Sequence, residues 1–149
     1  MGLDCWTSLL KTTMSKVEQT LSLIKPDAVE RNLEEEIKQF YIKSGFTIAK
    51  QKKVKLEKKD AEIFYKVHET KPFYNDLCNY LSSGPIVAMI LEKVDAVSEN
   101  RKVMGATDPA KADDGTIRKK YGLSIDKNSV HGSDSIENAT KEINFFFKT

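Results

Sequence analysis

Among the 149 residues of this chain there are two histidines, His68 and His131. His131 stands beside Gly132 and Ser133 at the end of a long stretch without periodicity. An imidazole can bind a metal, move a proton or bond covalently to phosphorus, but a lone histidine beside a glycine is more commonly a hydrogen-bonded structural residue. His68 falls on the inner side of a predicted helix with no motif near it, and reads as a packing or edge residue. Lys25, Arg101, Thr107 and Arg118 are residue types able to neutralise phosphate oxygens. No Gly-x-x-x-x-Gly-Lys-[Ser/Thr] loop and no protein-kinase motif occurs, so phosphoryl chemistry would rest on side chains and a metal ion. Taken singly, each of these side chains also reads as an ordinary solvated residue. Cys5 and Cys78 lie in neither a CxxC nor a metal-ligand pattern, and two isolated thiols suit a reducing, cytoplasmic compartment.

The elements that must position these groups follow from hydrophobic spacing. Leu21, Leu23 and Ile24 make a strand ended by Lys25-Pro26-Asp27, since proline biases its predecessor toward extended geometry. Leu33, Ile37, Phe40 and Tyr41 have helical spacing, and Ser44-Gly45 supplies a stop. Phe46 and Ile48 lead a second, one-face-wet strand toward Val54 and Leu56. Ala61, Phe64, Tyr65 and His68 share a helical face, and Pro72 opens another helix with Phe73, Leu77, Tyr80 and Leu81. The run Ile86 to Leu91 is apolar throughout, as in a central strand covered on both faces. Asp95 is placed to cap a helix that carries Arg101 and ends at Gly105. Between Gly105 and Gly132 only a helical turn near Thr116 to Tyr121 is expected. Ser135 is placed to cap a last helix, with Ile136, Ala139, Ile143 and Phe146 on its inner face.

Hydrophobic residues at 40%, charged residues at 31% and a net charge of +2 are values of a soluble globular domain. The lysines at 50, 52, 53, 55, 58 and 59 read as the solvated face of a strand, and no dedicated nucleic-acid partner is expected. Residues 1–16 hold no apolar run for a membrane span or secretory core. They are expected to be a leader, with the domain at 17–149. Strands and paired helices without regular alternation indicate an α+β sheet with helices packed on it.

Six motifs then occur in a fixed order: Lys25-Pro26-Asp27, Lys71-Pro72-Phe73, Ser83-Gly84-Pro85, Met104-Gly105-Ala106-Thr107, Gly115-Thr116-Ile117-Arg118, and Asn128-Ser129-Val130-His131-Gly132-Ser133-Asp134. In that order, from Thr20 to Phe147, the chain resembles the nucleoside diphosphate kinases. The resemblance implies a ferredoxin-like βαββαβ fold: a four-stranded antiparallel sheet, helices on one side, His131 on a short last strand and a long assembly loop before it. It also implies ping-pong transfer of the γ-phosphoryl group of ATP or another nucleoside triphosphate to a nucleoside diphosphate, through a phosphohistidine at His131.

Carried over residue by residue, the resemblance makes Glu142 the carboxylate that orients the imidazole so that Nδ1 faces phosphorus, with Ser133 beside it. Lys25, Tyr65, Arg101, Thr107, Arg118 and Asn128 match positions that contact phosphates, ribose or the phosphoryl group in transit. Phe73 matches the aromatic that stacks on the base, with Leu77 and Ile125 at adjoining apolar positions; stacking accepts every base and implies broad specificity. Mg²⁺ is expected to arrive on the nucleotide phosphates, with no protein metal site. Asp108 stands where the family commonly has asparagine, and its charge near Thr107 is expected to touch phosphate binding or loop contacts. Family members form hexamers or tetramers, and Pro109 in the assembly loop favours the hexamer. A phosphohistidine carrier and a catalytically inert interaction module are the competing readings.

Overall fold

The structure, a computed structural model, describes residues 17–125 and 127–147. The expected leader therefore lies outside the described residues. Strand β1 (Val17–Ile24) is buried from Thr20 onward because both faces of a central strand are covered. Lys25 is extended ahead of Pro26, which opens the short helix α1 (Pro26–Glu30). Helix α2 (Glu34–Lys43) buries Ile37 and Tyr41, one turn apart, and places three glutamates at its electropositive start. Strand β2 (Thr47–Val54) is largely exposed.

Helix α3 (Lys58–Phe64) begins where the Asp60 carboxylate reaches back to the Glu57 N–H at 3.2 Å. A 3-10 turn (Lys66–His68) leads to α4 (Tyr74–Leu81), so Pro72 and Phe73 precede the helix they were expected to open. Strand β3 (Ile86–Val94) is followed by α5 (Ala96–Met104). A 3-10 turn (Pro109–Lys111), helix α6 (Ile117–Tyr121), strand β4 (Val130–Gly132) and helix α7 (Ile136–Phe146) complete the described chain.

The sheet order is β2-β3-β1-β4, and every neighbouring pair is antiparallel. This is the ferredoxin-like α+β arrangement. Alternate residues of the central strands separate two cores. Ile24, Val87, Met89 and Leu91 pack with Ile37 and Tyr41 of α2, Ala96 and Met104 of α5, and Ile117 of α6. Leu21, Leu23, Ile86 and Ala88 pack with Ala61 of α3, Cys78 and Leu81 of α4, and Phe146 of α7. Helices thus cover both faces, where the resemblance led to an expectation of one. The inserted α3–α4 pair and α7 supply the second layer.

Two other expectations are corrected at helix starts. Asp95 precedes α5 in a left-handed conformation (φ +56°) and its side chain makes no capping bond. The carboxylate of Glu18, on β1, accepts from the Val97 N–H at 3.3 Å instead. Ser135 does cap α7, accepting from Asn138 N–H at 3.1 Å, but Ile136 in the first turn faces solvent at 62% exposure while Ala139 and Phe146 are buried. Among the described residues no helix is long and apolar enough to cross a membrane.

Candidate active site

Strand β4 is short, but its register decides where His131 goes. His131 lies opposite Leu23 of β1. Directly opposed residues in an antiparallel pair share a face, so the imidazole stands on the side of α3 and α7, where Leu23 packs. The next residue, Gly132, meets α5 closely: a Cβ there would collide with the Asn100 amide and approach the Met104 methyl to 2.7 Å. A larger residue would have to displace Asn100 and Met104 on the helix that bears Arg101.

Glu142 reaches the imidazole from α7. Its Oε1 lies 2.9 Å from His131 Nε2 and accepts the Ser133 hydroxyl at 2.8 Å. A carboxylate can only accept, so Nε2 must carry the proton, and in the neutral ring the free lone pair is left on Nδ1. Around the ring, Phe64 stands edge-on at 5.2 Å between centroids and Tyr65 at 6.3 Å. Burial, with a smaller contribution from the nearby Glu142 charge, pushes the Tyr65 phenol well above its ordinary value and keeps it a neutral hydroxyl. Phe64 was not singled out in the sequence, where it reads as one apolar residue of a helical face; only its packing reveals the contact.

The cationic residues come from three separate segments. Lys25, buried at the end of β1, donates from Nζ to Asn128 Oδ1 at 3.0 Å, and the Asn128 amide donates to the Thr107 carbonyl at 3.0 Å. Arg118, on α6, donates to the carbonyls of Gly105 at 3.1 Å and Val130 at 2.9 Å. Gly105, at φ +85°, ends α5 and turns the chain there. Burial lowers the Arg118 pKa, and Arg101 adds to the lowering; an arginine remains charged nonetheless. Arg101 and Thr107 are exposed. The Asp134 carboxyl is held below its usual range chiefly by the Asn138 amide, with lesser help from Arg101 and His131. Asp108 directs Oδ1 to the Ala110 N–H at 3.0 Å and so caps the Pro109–Lys111 turn.

The three apolar positions differ in burial. Phe73 is 45% exposed and Ile125 56% exposed, while Leu77 is partly buried against the α3–α4 core. His68 stands between Tyr65 and Phe73, with ring centroids at 6.2 and 6.0 Å. It therefore packs between the aromatic near His131 and the one at the surface. Burial and then Lys71 lower its pKa.

The family model for nucleoside diphosphate kinase matches residues 18–149. A nucleoside diphosphate kinase of Nitratiruptor sp. is 54% identical over 131 residues, spanning 88% of this chain and 96% of that protein. That of Geobacter sulfurreducens is 53% identical over the same share of each. Among solved structures, the Aquifex aeolicus nucleoside diphosphate kinase superposes with a TM-score of 0.87 at 39% identity, covering 89% of this chain and 96% of that one. The apo enzyme of Encephalitozoon cuniculi gives 0.86 at 39% identity, covering 89% and 90%. With the matched span holding both cores and every residue of the site just described, this chain belongs to the nucleoside diphosphate kinase family.

Proposed function

We propose that His131 is the nucleophile of a two-step phosphoryl transfer between nucleotides. The observation that carries this reading is the Glu142 carboxylate on Nε2, which leaves the Nδ1 lone pair for phosphorus. In the first half, Nδ1 attacks the γ-phosphorus of a nucleoside triphosphate. A P–N bond forms, the bond from phosphorus to the β,γ-bridging oxygen breaks, and the nucleoside diphosphate leaves with that electron pair. In the second half, a terminal oxygen of another nucleoside diphosphate attacks the phosphohistidine, the P–N bond breaks and Nδ1 recovers its lone pair. Donor and acceptor share base, ribose and diphosphate, so one site serves both halves.

Lys25, Arg118 and Asn128 would donate to phosphate oxygens as charge redistributes, with Arg101 and Thr107 entering from the exposed rim. Tyr65 is supported as a neutral hydroxyl by its burial. Phe73 would stack on the base with Leu77 and Ile125 beside it, and a π-face accepts every base. Mg²⁺ belongs to the substrate complex. The residues here suit that complex as donors to its phosphate oxygens rather than as ligands of the ion, since magnesium holds most of its waters. We further assign the catalytic domain to residues 17–149, with residues 1–16 as a separate leader, place the protein in the cytoplasm, and favour a homo-hexamer over a tetramer.

The test is to incubate the purified chain with γ-labelled ATP, seek acid-labile label on His131, and chase it with GDP. Transfer of label to GTP is expected, and none on a folded His131→Ala variant. Label that ignores GDP would identify a phosphate carrier, and a chain never labelled would be an interaction module.

A further inference from the structure

The Lys25-Pro26-Asp27 motif supplies one residue that the proposed chemistry does not use. Asp27 is buried, with its side chain 3% exposed. Its Oδ2 accepts from the Ser129 hydroxyl at 2.9 Å and from Arg31 at 3.1 Å. Its Oδ1 accepts from the Tyr80 hydroxyl, whose oxygen in turn accepts the Asp27 N–H at 2.9 Å. The same Arg31 nitrogen donates to the Tyr121 carbonyl at 2.6 Å and to the Ser129 hydroxyl at 3.2 Å. The buried carboxylate therefore ties together α1, α4 and the residue before β4, and the Arg31 it holds extends the tie to the end of α6.

Ser129 is the member that matters for the site. It is fully buried and sits at φ +74°, a left-handed backbone that a serine adopts only when its surroundings hold it there. Its carbonyl accepts the Lys25 N–H at 2.8 Å. On one side of it Asn128 bonds Lys25 and the Thr107 carbonyl; on the other, Val130 takes Arg118 on its carbonyl and begins the strand of His131. Release of Ser129 from the left-handed region would rotate the peptides on both sides of it. Asn128 and β4 would then move relative to Lys25 and Arg118.

We propose that Asp27 is a positioning residue for phosphoryl transfer, acting through the Ser129 hydroxyl to hold the backbone that aims Asn128 and His131 at the same phosphate. The proposal rests on the reading of His131 as nucleophile. It makes the third residue of the motif a determinant of rate rather than of folding alone.

The test compares Ser129→Ala, Asp27→Ala and Ile37→Val, the last removing one methylene from the α2 core as a match for lost stability. Each full-length variant is held well below its own Tm, and single-turnover labelling by saturating γ-labelled ATP is timed. Ser129→Ala is expected to slow labelling about tenfold or more, as misplacement of reacting groups does, while Ile37→Val stays within about twofold of the parent chain. Asp27→Asn, which keeps one acceptor, should recover part of what Asp27→Ala loses. Should Asp27→Ala not fold, Ser129→Ala carries the test. Equal rates in Ser129→Ala and the parent chain, or slowing that only tracks lost Tm across all variants, would overturn the proposal. Failure of the parent chain itself to take label on His131 would instead remove the reading beneath it, and this proposal too.

Discussion

Glu142 Oε1 lies 2.9 Å from His131 Nε2, joining the last helix to the shortest strand of the sheet. The same oxygen holds the Ser133 hydroxyl, so the carboxylate is itself fixed in place before it fixes the ring. A covalent nucleophile needs this order of support: the attacking nitrogen is aimed by a group that does not react.

Glu142→Gln would test that aim. An amide can turn its NH₂ toward Nε2 and favour the tautomer with its proton on Nδ1, the wrong nitrogen for attack. The expected loss is on the order of 10²-fold in the rate of His131 labelling, with Tm nearly unchanged at this partly exposed position. Unaltered single-turnover kinetics would show that Glu142 does not orient the ring.

Arg118→Lys would separate charge from geometry. The guanidinium spans the carbonyls of Gly105 and Val130, and a lysine ammonium is a point charge that cannot repeat the fork. A stability loss of about 1.5 to 3 kcal/mol is expected from denaturant unfolding, with slowed labelling at temperatures where the variant is folded.

Phe73→Ala should show the reverse balance. The ring is nearly half exposed and contributes little to either core. Loss of base stacking, about 1 to 3 kcal/mol, would raise KM for purine and pyrimidine nucleotides alike. Denaturation midpoints should not move. A change confined to purines would argue against a stacking role.

High pH should unfold the chain through its buried phenols. Burial pushes the Tyr41 pKa from its usual 10.0 up to about 12, against a smaller lowering by the Ser22 hydroxyl 3.1 Å away. The folded state thus keeps a proton that the unfolded chain gives up. Stability from Tyr41 is complete below pH 10 and is lost as pH rises from about 10 to 12, on the order of 2 to 3 kcal/mol in all. Burial also raises Tyr65 and Tyr80, which act in the same direction. Tyrosinate absorbance and circular dichroism followed together should change in one transition, and Tyr41→Phe should shift it upward. Ionisation without unfolding would contradict this.

Much of the sheet was legible because local rules suffice there. Leu21 to Ile24 and Ile86 to Leu91 are buried on both faces; the second reads as an uninterrupted apolar run and the first is broken only by Ser22, as inner strands of a covered sheet display. The helices from Glu34 and from Ile136 were found by their spacing and by local stops and caps. Strand β4 escaped periodicity because its span, Val130–Gly132, is shorter than two full alternations; the family resemblance supplied it. Asp95 misled because a capping residue type does not guarantee capping geometry, and a glutamate distant in sequence took its place.

The order of the motifs determined the family and named the residues around His131, since identity and succession are properties of the chain alone. What only the tertiary structure decided is how they meet. Lys25 and Asn128 are separated by 103 positions yet bond at 3.0 Å. Asp27, in sequence only the last residue of a motif, becomes a buried junction because α1, α4 and the β4 approach meet at its carboxylate and Arg31 carries it to α6. The edge of Phe64 against His131 likewise exists only once α3 is laid on the sheet. Side-chain chemistry is written residue by residue, but distance and desolvation, which turn it into a site, depend on packing between segments remote in the chain.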